Sequence, residues 1–301
     1  MTSGVRSPGS NRLYSDDWML WQPGPTQSTP PLVRHSMETL LRVMRTWPKT
    51  LAKGFQVPPM LHFTHTRPDT ILQPISSCIR LAKMWSDQSE GATEIIRDII
   101  IQEMRILFDK ARAFRSLDER HLLSALQALV MYTIIIIFPG HSQLSISLID
   151  PAIFLCLQRV VSYVAKTGLM LTEENDNERP SWDSWVHVTA KRRAVFSLYL
   201  LHWSYSVYHG LQSFECSQLG FLPAPAPKFL WQAESREKWE DLYIRWLAQW
   251  KGYPFSMSEF AVIQSGTTLD RRTEMWLEDA DELGLLFFSI GTTVHPCVIW
   301  W

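Results

Sequence analysis

No two cysteines in this chain stand at a metal-binding or redox spacing. Cys78, Cys156, Cys216 and Cys297 are scattered, and three of them sit among apolar or aromatic neighbours. They read as small hydrophobes of a reducing compartment, not as a disulfide framework or a structural zinc site. Glycine-rich phosphate cradles are missing as well: neither GxGxxG nor GxxxxGK[ST] occurs, which removes nucleotide binding by those devices. Excess charge is lacking, with 29 Lys and Arg against 30 Asp and Glu. No overall field therefore draws the chain to DNA or to an acidic membrane. The opening MTSGVRSPGSNRLYSDDW has no apolar signal core and places Asp16 and Asp17 where a transit peptide avoids acid, which points away from secretion. No fixed-period repeat is visible.

What is present is apolar and aromatic. The 301 residues are 46% hydrophobic and include 14 tryptophans, enough for one large core or two small ones. Residues 1–34 are rich in Gly, Ser, Pro and Thr, apart from the apolar Trp18 to Trp21, and are expected to form a flexible segment. Helical spacing then begins, with Ser36 as N-cap and Pro48 as a break. Further helices are expected over 75–85, 93–114, 122–138 and 150–164, then from Ser181 to Gly210, over 236–250, and from Asp270 past Leu283. The uncharged run 122–138 falls short of the roughly 20 residues that span a bilayer, and it reads as a central buried helix. TEENDNERP, at 172–180, reads as an exposed acidic loop. The expected fold is all-α: a single helical domain over 35–295 of about eight helices, with a long ordered Pro-rich loop and a tail at 296–301.

Catalytic patterns are few. GHSQL at 140–144 resembles a nucleophile elbow until Leu144 replaces the second glycine. His62 and His65 are three apart but lack a third ligand nearby, so loop packing is the default. His202 and His209 share a helix face among aromatics and read as packed or hydrogen-bonded groups. In the basic triplet Lys191, Arg192 and Arg193, only Arg192 lies on the apolar face. It is expected to meet a carboxylate of another helix while its two neighbours are solvated. Trp239, Tyr243, Trp246 and Trp250 recur at helical spacing and read as core. No catalytic, cofactor or metal residue is assigned, and the chain is not expected to be an enzyme.

One ordered set of motifs goes further. Trp182 and Trp185, then Arg192 and Arg193, Gly210, Cys216 and Gly220, the Leu-Pro-Ala-Pro loop with Pro223 and Pro225, and Trp231 together resemble the regulatory (middle homology) domain of fungal binuclear zinc-cluster transcription factors. RTWPKTLAKGFQVPPMLH (45–62), LLSALQALVMY (122–132) and MWLEDADELG (275–284, with Trp276) are similar to the same family and occur in its order. The resemblance covers most of residues 36–290 and marks these residues as a family signature that is structural in role.

That resemblance implies a nuclear regulator of RNA polymerase II transcription that acts through co-regulators, a related regulator or an effector, with homo-oligomerisation possible. The runner-up is a helical scaffold or inhibitory subunit that binds a full-length regulator. Family members read DNA through a six-cysteine zinc cluster. No cysteine precedes Cys78 here, so zinc and DNA contact are expected only in a longer form carrying that cluster. A membrane partner is not expected. The position three before Arg192, often acidic in the family, is Thr189, which puts a local acid–arginine pair in doubt. The apolar close at Val298 to Trp301 reads as a truncated or altered gene model.

Overall fold

A computed structural model of the chain describes residues 29–87, 92–112, 118–138, 145–211, 219–263 and 266–294. Among these residues the fold is all-α. Twelve α-helices occur rather than about eight, with short 3₁₀ turns at Phe63–His65 and Met257–Val262. The tails, Cys216, Cys297 and the GHSQL turn fall wholly or mostly outside the described residues.

The extra helices come from breaks that periodicity alone runs together. Helix α1 (Pro31–Met44) starts on a proline at its first position, ahead of Ser36, where a missing N–H costs nothing. Pro48 does not simply end it. A second helix, α2 (Trp47–Lys53), begins there, and Gly54 closes it with φ 75°. After α3 (Gln73–Asp87), α4 (Thr93–Arg112) and α5 (Glu119–Ile137) comes α6 (Pro151–Lys166), opened as expected by Asp150, whose carboxylate accepts the Ala152 N–H at 2.9 Å. The acidic stretch then forms a one-turn helix, α7 (Thr172–Asn175).

Helix α8 (Trp182–His209) runs between a Ser181 cap and a left-handed Gly210. Helices α9 (Lys228–Trp231) and α10 (Arg236–Trp250) follow. The segment expected as one last helix is two, α11 (Arg271–Glu278) and α12 (Glu282–Val294). Asp281 separates them: its Oδ1 accepts the Gly284 N–H at 3.0 Å, as a cap does.

Two of these helices are enclosed almost all round. α5 is buried at every position from Leu122 to Ile137 and packs on α2, α3, α4, α6 and α8. By length and composition it is the described helix that qualifies to cross a membrane, yet 89% of its apolar window lies inside the fold. α8 is buried without a gap from Val188 to Val207 and packs on α1, α5, α6 and α10. One continuous hydrophobic core joins them to the rest.

Candidate functional site

Helix α8 carries the basic triplet into that core. Lys191, Arg192 and Arg193 are all buried, at 1%, 3% and 1% exposure, so the expectation that the two outer residues are solvated fails. A helix enclosed on every side has no wet face for them, and each charge meets its own acceptors. Arg192 makes a two-pronged pair with Glu174 of α7, at 2.6 and 2.7 Å, and Thr189 Oγ1 accepts a third bond at 3.0 Å. The carboxylate does come from another helix, and the hydroxyl at Thr189 occupies the position where a local acid was in question. Glu174 also accepts the Leu171 N–H at 3.4 Å. It is buried, although most of its neighbours in the acidic stretch are exposed.

Arg193 holds three separated pieces of chain. It donates to the Pro59 carbonyl at 2.8 Å, pairs with Asp281, and lies over the Trp231 ring at 4.3 Å. Burial pulls its guanidinium below the ordinary range and Asp281 counters that pull. Lys191 donates to the Thr167 carbonyl at 3.1 Å, to its hydroxyl at 2.9 Å and to Glu119 at 3.3 Å. Its pKa is lowered by burial, against the attraction of Glu119.

The aromatic signature packs around these charges. Trp185 contacts Trp239 at 5.3 Å and Trp231 at 6.3 Å, and Trp182 is half-buried with Arg236 over its ring at 6.0 Å. The Pro223 to Pro227 loop is tied down twice. Pro223 bridges Ser256, and the Pro225 carbonyl accepts the Trp276 indole N–H at 3.2 Å, while Trp276 stacks on Phe255 at 5.1 Å. Trp182, Trp185, Arg192, Arg193, Pro223, Pro225, Trp231 and Trp276 thus converge. Gly210 instead caps the far end of α8, about 27 Å from Arg192 at 1.5 Å per residue.

The motif reading of the sequence assigns no role to Glu174, Asp281 or Pro59. Asp281, in DADELG, carried a readable cap signal. Glu174 and the Pro59 carbonyl gave none.

His62 joins the cluster from the VPPMLH segment. Its ring meets Trp231 at 4.7 Å and Trp182 at 6.3 Å, and its Nδ1 lies 2.7 Å from Thr64 Oγ1. Burial first, then the nearby charges of His65, Arg193 and Arg67, pushes its pKa down to about 3. His65 is pushed to about 4, again chiefly by burial. Both rings are neutral at pH 7 and could in principle ligate. Among the described residues, however, no three His, Cys, Asp or Glu side chains gather as metal ligands would. His202, 7% exposed and 4.6 Å from Phe154, is pushed to about 4 by burial. His209 lies nearer the capped end of α8. The expected tryptophan ladder on α10 is core, with Trp239, Tyr243, Trp246 and Trp250 all buried.

Two spaces adjoin the cluster. Between the Pro loop, Trp185 and Trp276 there is about 30 Å³, enough for a water and little more. Outside it an open groove of about 730 Å³ runs between the α1–α2 corner, the 54–67 segment and α12. Trp47, Leu61 and Trp231 are its buried apolar lining. Arg67, stacked over Phe63 at 4.6 Å, together with Glu234 and Glu282, brings charge. Its size is that of ordinary ligand pockets, and Phe55, 91% exposed, stands beside it. The groove has room for a ligand or a peptide; the signature cluster does not.

Comparison with known proteins adds no relative: no family model, no curated protein and no solved structure matches this chain.

Proposed function

We propose that this chain is the regulatory domain of a fungal zinc-cluster-type transcription factor, controlling RNA polymerase II transcription through partners or an effector. One observation carries the reading. The stretches that resemble the family separately are the ones that meet in space. Arg193, from the Trp-x-x-Trp…Arg-Arg motif, touches Pro59 of the 45–62 stretch, Trp231 at the end of the Pro-Ala loop, and Asp281 of MWLEDADELG. The fourth stretch is tied to the first by Gln127, whose amide donates to the Met60 carbonyl at 3.1 Å.

In this reading the cluster is the frame and the adjoining groove is where an effector or partner segment has room. The chain supplies no six-cysteine cluster, so DNA is reached through another domain or another protein. Fusing the full chain to a supplied DNA-binding domain and measuring a reporter in activating and repressing formats tests this. A change of several-fold in either format supports the reading, and unchanged output in both, with the fusion soluble and expressed, overturns it.

A further inference from the structure

Helix α4 has two apolar faces, and the fold uses one. Ile96, Ile100, Met104 and Leu107 are buried against α5 and its neighbours. Around the helix from them, Ile95, Ile99 and Ile106 are 64%, 39% and 38% exposed, and Gln102, also exposed, completes a stripe at steps of four, three and four residues. That is the seam spacing of a helix that pairs with another helix. Isolated exposed isoleucines are ordinary, but three at seam spacing along nearly two heptads of one helix form a continuous strip.

The charges beside the strip choose the occupant. Asp98 and Arg105, both exposed, lie on one flank, with Glu103 and Lys110 on the other. Neither Asp98 nor Arg105 has an ion pair among the described residues. When two copies of α4 lie antiparallel, like flanks face each other in reverse order. Asp98 then stands opposite the partner's Arg105, and Arg105 opposite the partner's Asp98. Ile95 meets the partner's Ile106, and Ile99 meets the partner's Gln102. When the copies lie parallel, unlike flanks meet, setting acid Asp98 against the partner's Glu103 and base Arg105 against the partner's Lys110. The pattern therefore attracts in one orientation and repels in the other, as a two-fold self-complementary surface requires.

We infer that α4 is a self-association surface, through which two copies of this chain pair antiparallel about a two-fold axis. A contact made by one helix from each copy lies at or below the low end of the roughly 1,200–2,000 Å² typical of stable interfaces. The dimer is accordingly weak and exchanges with monomer. The inference does not depend on the transcriptional reading.

Sedimentation velocity on the full chain from low to high micromolar concentration tests it, with circular dichroism to confirm folding of each variant. A concentration-dependent monomer–dimer equilibrium is expected. Ile106→Glu should abolish it without loss of helicity, because the side chain is exposed in the monomer. Asp98→Arg alone and Arg105→Asp alone should each weaken the dimer roughly tenfold, while the double exchange D98R/R105D restores it. A chain that stays monomeric throughout, a dimer indifferent to Ile106→Glu, or a double exchange no tighter than the single changes overturns the proposal.

Discussion

α5 and α8 are both buried nearly all round, but by different means. α5 carries no charge from Leu122 to Phe138, and its burial follows chiefly from apolar surface, its few polar side chains such as Gln127 and Thr133 bonding to backbone carbonyls. α8 carries Lys191, Arg192 and Arg193 into the same core, and each must find acceptors that lie 18 to 134 residues away along the chain. An apolar helix tolerates many neighbours of suitable volume. A helix bearing buried charges tolerates only the neighbours that satisfy them. Cohesion thus resides largely in α5, and the arrangement of the 54–67 segment, α7, α9 and the start of α12 resides in α8.

The contrast can be broken most strongly at Asp281. Asp281→Ala leaves Arg193 buried and unpaired and removes the α12 cap, and should cost about 3–5 kcal/mol, read as loss of soluble protein or a steep fall in the denaturant midpoint. Glu174→Leu should cost a similar amount alone. In the double variant R192M/E174L most of it should return, because a buried ion pair replaced by apolar groups is often neutral. Failure of that recovery would mean that the Arg192 pair adds net stability beyond specificity.

On α5, Leu126→Ala should cost about 3 kcal/mol through the cavity it leaves. It should leave the 54–67 segment and α12 as protected from proteolysis as before. A loss of protection there would erase the distinction between the two helices.

pH probes the α8 side more gently. His62 and His65 have folded pKa values below the ordinary 6.5, so the unfolded chain binds protons first as pH falls. Their contribution is whole above about pH 6.5 and declines toward about pH 4 for His65 and about pH 3 for His62, by at most about 1.4 kcal/mol per unit for each. His62→Gln should flatten that decline in urea titrations at several pH values. The smallest effect is expected at Arg245, whose pair with Asp241 is exposed. Arg245→Ala should shift stability by no more than about 0.5 kcal/mol.

Local signals were legible in proportion to how local their physics is. Asp150 before Pro151, Ser181, Gly210 and the 236–250 helix show in the sequence because caps and amphipathic stripes depend on near neighbours. The buried state of Lys191 and Arg193 does not, because a helix enclosed on all sides loses the polar–apolar period that marks a wet face. The role of Glu174 was hidden for a related reason. It lies among Glu173, Asn175 and Asp176, and nothing local separates the one carboxylate that turns inward. Pro48 reads only as a break although it stands in the first turn of α2, and Asp281 reads as the interior of one longer helix although it caps the start of α12, because helical spacing runs on across both junctions.

The reach of Arg193 also has a consequence in time. Its acceptor on Asp281 is made 88 residues after it. At the roughly 5–20 residues per second of synthesis, the guanidinium waits about 4–18 s for its counter-charge. During that interval α8 can be helical but not fully seated, since closing the core would strand the charge. The emerging chain therefore holds its tryptophan-rich centre open until its last helices arrive, and that is the window in which a chaperone, or a second copy of the chain, meets it.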